Sequence, residues 1–219
     1  MAYYDNNYGQ RRFLGNAPTA TRNIIIINIV VFAATWLGER VLHSDVMGRL
    51  FALYPIQSHY FHWWQFITYM YMHGGFWHIL FNMYTLYIFG CVVENIIGTR
   101  KFITFYTICG VGAAALHLLV QSLTNDFAPT VGASGSIYGV LIAFAILFPE
   151  SRLTLLFPPV TLSAKWMVII FAIIELTTGL TGASANVAHF AHLGGMLIGW
   201  LLILFWKKRG VLFDKERWI

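Results

Sequence analysis

Six long apolar runs, separated by turn residues or charges, constrain this chain more than any other feature of its sequence. They lie near 23–38, 76–97, 101–122, 134–149, 164–180 and 186–206. A helix needs about 20 mainly apolar residues to cross a hydrocarbon layer about 30 Å thick. Of all residues, 58% are apolar and 11% are charged, whereas a soluble domain is about 25% charged. The pattern predicts an all-α polytopic membrane protein, a bundle of six helices.

The long connection 39–75 does not fit a spanning helix. It is rich in aromatic residues but also holds acidic, basic and histidine side chains. Clustered Trp and Tyr prefer the headgroup level of a bilayer. We therefore expect residues 39–75 to lie in the membrane interface.

The basic residues predict the orientation of the bundle. With six spans and a cytoplasmic amino terminus, only Arg40 and Arg49 of the 14 Lys and Arg residues fall on the far side, as the positive-inside rule expects. We expect a cytoplasmic tail at 1–22, a six-helix domain at 23–206 and a cytoplasmic tail at 207–219, in the cell membrane of a bacterium. The net charge of +5 is then a signal of topology and indicates no nucleic-acid partner.

The two cysteines give no sign of a disulfide framework or a metal cluster, because Cys91 and Cys109 both fall inside apolar runs. The sequence predicts no cofactor and no metal. It does not fix the oligomeric state.

A serine between small residues stands where a loop enters the fourth predicted helix, in the stretch GASGSIYG at 132–139. Unpaired N–H groups and the positive end of the helix dipole would point at an anion formed beside Ser134. Gly135 and Gly139 are four residues apart, and Gly195 and Gly199 repeat that spacing in the sixth helix. Small residues at this spacing allow close helix approach, which would bring Ser134 to His192, as a nucleophile and its base require. Taken alone, the serine motif or the histidine motif is explained more simply by glycine-mediated helix packing, with Ser134 as a helix cap.

Two further polar side chains, His78 and Asn82, lie four residues apart in the second helix, so they project from one face. Beside a nucleophilic serine they would suit a pair of oxyanion donors. Taken alone, they would more often join neighbouring helices.

These motifs resemble those of the rhomboid family. The resemblance runs from about Asn23 to Trp206, and GASG at 132–135 and AHLGGMLIG at 191–199 are its most specific parts. The family pattern of HxxxN, GxSG and AHxxGxxxG is met in that order. Each motif is weak alone, but the three together on six helices are specific.

The resemblance implies an intramembrane serine endopeptidase that cleaves single-span transmembrane proteins within the lipid bilayer. It implies Ser134 as nucleophile, His192 as general base, the Ser134 amide with His78 and Asn82 as oxyanion donors, and the Tyr138 ring packed on His192. Gly132, Gly135, Gly195 and Gly199 would support this site. No third residue after His192 is evident, so a Ser–His dyad is expected.

The motifs leave the roles of several polar residues unassigned. Trp64-Gln65 stands where many rhomboids carry Trp-Arg, which puts the loop's usual arginine contacts in doubt. Glu94 resembles the family's structural glutamate. Glu175 is unassigned, with a hydrogen bond to a neighbouring helix as its simplest role.

His189 shares roughly one side of its helix with His192, so periodicity does not choose between them, but glycines beside His192 favour it as the base. We expect His189 at an aqueous mouth or against the last loop.

Two other functions fit parts of the pattern. A catalytically silent rhomboid would bind membrane helices without cleaving them, and loss of Ser134 or His192 would mark that class. A metal-dependent intramembrane enzyme or transporter would use His78, His189, His192 and Glu175, although the chain lacks an HExxH motif.

Overall fold

The computed structural model describes residues 17–155, 159–182 and 188–212. Residues 1–16 and 213–219, which make up most of the two expected tails, lie outside the described residues. Five helices are long and apolar enough to cross a membrane: α1 (Thr19–Arg40), the continuous segment Phe76–Ile97, α6 (Thr99–Thr124), α8 (Ala164–Thr181) and α9 (His189–Lys208). A sixth apolar helix, α7 (Ser134–Leu147), is shorter. The prediction of an all-α six-helix membrane bundle is confirmed.

The connection between the first two spans holds short elements in place of a spanning helix. These are α2 (Val46–Phe51), α3 (Gln65–Thr68) and a 3₁₀ turn at Tyr69–Tyr71. The second span then runs as α4 (Phe76–Thr85), a π-helical turn (Leu86–Gly90) and α5 (Cys91–Ile97). An antiparallel hairpin of β1 (Arg152–Thr154) and β2 (Thr161–Ser163) joins α7 to α8.

The centre of the bundle is formed by α6, α7 and α9, which share the largest helix interfaces. Glycines make this possible. A Cβ at Gly195 would overlap the carbonyl oxygen of Gly135, and one at Gly199 would lie 2.9 Å from the Cα of Gly139. The two glycine faces therefore meet backbone to backbone, as their spacing predicts.

The outer surfaces of the spans carry large apolar side chains exposed to the surroundings, such as Ile173 and Ile174 on α8 and Leu197 and Trp200 on α9. In water such a surface would be very unfavourable, but lipid solvates it without cost. The protein is an integral membrane protein.

Two buried polar side chains hold in place the start of the first span and the middle of the long connection. The Glu94 carboxylate accepts hydrogen bonds from the backbone N–H groups of Ala20 (2.9 Å) and Thr21 (2.7 Å) and from the Thr99 hydroxyl (2.8 Å). It therefore satisfies unpaired donors at the start of α1 and stabilises that end of the helix dipole. This agrees with a structural role for Glu94.

Gln65 performs a similar task in the connection, where it is fully buried. Its Oε1 accepts from the backbone N–H groups of Tyr54 and His62, both at 3.2 Å, and its Nε2 donates to the carbonyl of Tyr60 at 2.9 Å. Trp64 adds a bond from its indole N–H to the carbonyl of Leu50 at 2.8 Å. The amide thus ties together backbone segments of the loop at the position where many rhomboids carry arginine.

Candidate active site

Ser134 stands at the first position of α7, at the end of a buried, non-helical approach. The approach is held by a backbone bond from Gly132 N–H to the Tyr69 carbonyl (2.9 Å) and by paired backbone bonds between Thr130 and Leu53 (2.8 and 2.9 Å). Gly132 has φ +131°, a conformation that side chains with a Cβ rarely adopt. The backbone is thus turned sharply just before Ser134, whose side chain is partly accessible.

The length of α7 bears on the depth of Ser134. Its 14 residues give a helix about 21 Å long, which is shorter than a hydrocarbon layer of about 30 Å. Irregular backbone at membrane depth is tolerated where protein or a water-filled cavity surrounds it. The buried approach at Gly132 and Ala133 meets that requirement.

His192 on α9 faces Ser134. Its Nε2 lies 2.8 Å from Ser134 Oγ, a hydrogen-bond distance. On the other side of the imidazole, the Tyr138 ring stacks on His192 with centroids 4.3 Å apart and planes 14° apart. Tyr138 lies one turn after Ser134 in α7, so one helix supplies both neighbours of the imidazole. A serine hydroxyl and an imidazole in this arrangement can act as a nucleophile and its base.

Ser136, two residues after Ser134, points away from this group. Its hydroxyl is fully buried and donates to the Tyr106 carbonyl at 2.8 Å, next to the Met70 sulfur at 3.2 Å. It therefore joins α7 to α6 and to the long connection.

His78 of α4 lies close to Ser134. A Cβ atom placed on Gly132 would lie 2.8 Å from His78 Nε2 and 3.6 Å from Ser134 Oγ. Both side chains therefore border the space beside Gly132. His78 Nδ1 accepts from the Gly74 N–H at 3.4 Å. In a neutral ring the proton is then on Nε2, which faces the space beside Gly132 as a donor.

Asn82, one turn along α4, is buried, and its Nδ2 donates to the His78 carbonyl at 3.0 Å. That bond stays within α4 and uses one of the two N–H groups of the amide. The structure brings Asn82 to the same helix face as His78.

Glu175 of α8 completes the polar cluster and, as its simplest expected role requires, contacts neighbouring helices. Its Oε2 lies 2.6 Å from His189 Nδ1 and 3.0 Å from His192 Nδ1, and the Tyr138 hydroxyl donates to its Oε1 at 2.5 Å. His189 Nδ1 also lies 3.1 Å from the Thr178 hydroxyl. Both of these contacts join His189 to α8; the loop at 183–187, which the expectation named as a partner, lies outside the described residues.

Glu175, His189 and His192 place one possible ligand atom each within 4.8 Å of one another, so they are the candidate metal ligands among the described residues. His78 is not among them. Two ligands of a tetrahedral zinc ion, bonded at about 2.0–2.1 Å, stand about 3.4 Å apart. The 2.6 Å between Glu175 and His189 matches a hydrogen bond better than a pair of metal ligands.

Two other histidines stand near the approach. His117 Nε2 lies 2.6 Å from the Thr130 hydroxyl, so it binds the loop before α7. His73 lies in the long connection, just before α4. Its ring is buried and contacts His78 edge to face at 5.0 Å, but neither of its nitrogens has a hydrogen-bond partner among the described residues.

Comparison with known proteins agrees with the motifs. Residues 60–209 match the Rhomboid domain family. Presenilin-associated rhomboid-like protein, mitochondrial, of Rattus norvegicus is 33% identical over 142 residues, 63% of this chain and 38% of the relative. Rhomboid protein 1, mitochondrial, of Saccharomyces cerevisiae is 29% identical over 129 residues, 58% of this chain and 37% of the relative.

RHOMBOID-like protein 1 of Arabidopsis thaliana is 32% identical over 167 residues, 76% of this chain and 40% of the relative. The matched region thus spans about two fifths of the length of these relatives. Because the family match extends over more than half of the sequence, the chain belongs to the rhomboid family.

Proposed function

We propose that this chain is an intramembrane serine endopeptidase that cleaves single-span transmembrane proteins, with Ser134 as nucleophile and His192 as general base. The observation that carries the proposal is the 2.8 Å separation of Ser134 Oγ and His192 Nε2 at the start of α7. A pair at this distance is ready for proton transfer.

The reaction follows from this geometry. Ser134 Oγ attacks the carbonyl carbon of the scissile bond while its proton moves to His192 Nε2. The C–N bond then breaks, and the leaving amine takes the proton from His192. Water attacks the resulting acyl-enzyme, gives one proton to His192, and releases the carboxylic acid as that proton returns to Ser134.

The oxyanion formed in each step needs donors. The N–H groups of the first turn of α7, beginning at Ser134, have no acceptor within the helix, and the helix dipole is positive at this end. His78 Nε2 borders the same space beside Gly132. We assign His78 and the Ser134 amide as donors, with Asn82 as a second side-chain donor from the same face of α4.

The glycines have a supporting role in this proposal. Gly135 and Gly139 against Gly195 and Gly199 set the distance between α7 and α9, and Gly132 leaves open the space that His78 borders. A larger residue at Gly195 would overlap the Gly135 backbone and separate Ser134 from His192.

The deciding experiment uses purified protein in liposomes with a single-span model substrate. Wild type should cleave it and should react with a serine-directed fluorophosphonate, whereas Ser134→Ala should do neither while keeping its thermal stability. Ser136→Ala is the matched control and should retain cleavage if it folds. Cleavage by Ser134→Ala above background would overturn the assignment. A folded wild type that binds the substrate without cleaving it would identify a silent, helix-binding rhomboid.

The orientation is also a proposal. Six spans place both termini on one side, and the excess of Lys and Arg makes that side cytoplasmic. The relatives named above come from a mammal, a yeast and a plant, so they lend no support to a bacterial cell membrane. Reporter domains fused to the carboxyl terminus and to the loop 39–75 should report opposite sides of the membrane.

A further inference from the structure

The Glu175 carboxylate is a charged group at membrane depth that no part of the proposed mechanism uses. It is 7% exposed and lies on α8, which packs against α7 and α9. A charged side chain at this depth costs several kcal/mol unless it is paired, and such residues are usually functional. Glu175 therefore needs hydrogen-bonding or charged partners that offset the free energy of burying its carboxylate.

Those partners converge on the His192 side of the cluster. Tyr138 O–H donates to Oε1, and His189 Nδ1 and His192 Nδ1 lie 2.6 and 3.0 Å from Oε2. Two of the three, Tyr138 and His192, belong to the stacked pair at the candidate active site. A simple tie between α8 and a neighbouring helix would need only one of these contacts.

The two nitrogens of His192 face different groups. Nε2 lies against Ser134 Oγ, and Nδ1 lies at ion-pair distance from Glu175 Oε2. The Nδ1–H direction is not aligned with the carboxylate, so Nδ1 has no hydrogen bond among the described residues. Catalytic hydrogen bonds are often poorly aligned before substrate binds and tighten in the reacting complex.

We infer that Glu175 is a positioning residue for His192, so that the site works as a Ser134–His192–Glu175 triad in place of the expected dyad. This inference rests on the proposed function. The carboxylate favours the tautomer with the proton on Nδ1, which leaves Nε2 free to accept the Ser134 proton. When His192 becomes an imidazolium, the charge 3.0 Å away stabilises it, an effect that is stronger in a water-poor site.

His189 and Tyr138 hold the carboxylate in place. The His189 contact is the shorter of the two histidine contacts, and Thr178 binds the same ring nitrogen. Tyr138 fixes the other oxygen and also limits rotation of the His192 ring by stacking on it. The carboxylate and the imidazole are thus oriented by shared neighbours.

The test compares wild type with Glu175→Gln and Glu175→Asp in liposomes. Glu175→Gln keeps the shape of the side chain and removes its charge. We expect its kcat and its rate of fluorophosphonate labelling to fall together by on the order of a hundredfold to ten-thousandfold, with KM within about twofold because substrate does not touch Glu175. Glu175→Asp, which keeps the charge, should recover part of both rates. Thr177→Ala, at an exposed position of α8, is the matched control and should behave as wild type.

A second readout does not depend on activity. In protein labelled with ¹⁵N-histidine, the His192 ring should carry its proton on Nδ1 in wild type and should shift toward the other tautomer in Glu175→Gln. A folded Glu175→Gln variant with wild-type kcat, labelling rate and tautomer would overturn the inference. A wild type that neither cleaves nor labels would refute the proposed function instead, and the tautomer measurement would still decide whether Glu175 orients His192.

Discussion

The Tyr138 ring lies flat against the His192 imidazole, with 4.3 Å between centroids, while its hydroxyl donates to the Glu175 carboxylate. One side chain therefore makes an apolar contact with the base and a polar contact with the group beside it. The two contacts can be separated by mutation, because Phe keeps the ring and loses the hydroxyl.

For Tyr138→Phe we predict a loss of kcat of at most on the order of a hundredfold, because a hydrogen bond to a charged group contributes about 1.5–3 kcal/mol and the two histidines still hold Glu175. Tyr138→Ala removes the stack as well and should lose at least another tenfold. Steady-state kinetics in liposomes, with melting temperatures to confirm folding, measure both. Equal activity of the Phe and Ala variants would show that the stacked ring does not orient His192.

The oxyanion assignment predicts a specific kinetic pattern for His78 and Asn82. Donors to a charge that develops only in the transition state should affect kcat more than KM, by on the order of tenfold to a thousandfold. Because His78 Nε2 borders the space beside Gly132 while Asn82 bonds the backbone of its own helix, His78→Ala should be the more damaging change. Unchanged kcat in both variants would leave these residues a purely structural role.

The pair His189 and His192 should respond very differently to alanine. His192→Ala removes the base and should eliminate turnover and fluorophosphonate labelling. His189→Ala removes only one contact of Glu175, so it should keep both at a reduced, measurable level. The reverse ranking, in variants that melt like wild type, would move the general base to His189.

The features that sequence reasoning recovered depend on local pattern. Apolar length predicts the spans, because a bilayer demands it of every crossing helix. The glycine faces of α7 and α9 follow from a four-residue spacing that marks one side of a helix. The proximity of Ser134 and His192 follows in turn, since each lies beside the glycines of its own helix.

A hydrogen bond from Glu175 to a neighbouring helix was expected, but its particular partners were beyond that reasoning. A helix such as α8, which is apolar on most sides, carries little information about its rotation, so the sequence could not tell whether Glu175 faces α7, α9 or another partner. The role of Gln65 depends on the path of the long connection, in which His62, Tyr60 and Tyr54 come together around one amide. Neither arrangement has a periodic signal.

His73 gives the last prediction, which concerns stability and pH. Burial, together with the neighbouring His78 ring, lowers the pKa of His73 to about 3, whereas a histidine in an unfolded chain titrates near 6.5. The unfolded state therefore binds the extra proton first as pH falls. The free energy of unfolding therefore keeps its full value, as far as His73 is concerned, above about pH 6.5. It falls progressively as the pH drops from 6.5 to 3. At pH 5 the loss is about 2 kcal/mol, from roughly 1.4 kcal/mol for each pH unit below 6.5.

His73→Phe keeps a ring at this position and cannot be protonated. Melting in detergent at pH 7 and pH 5 should therefore show a drop for wild type that exceeds the drop for His73→Phe by roughly 4–8 °C, if about 2–4 °C corresponds to each kcal/mol in a chain of this size. Any packing cost of the Phe ring is independent of pH and cancels in the comparison. His59→Phe, at an exposed position of the same connection, should keep the wild-type drop. If His73→Phe shows the full wild-type drop, acid destabilisation arises at other groups and not from burial of a neutral His73.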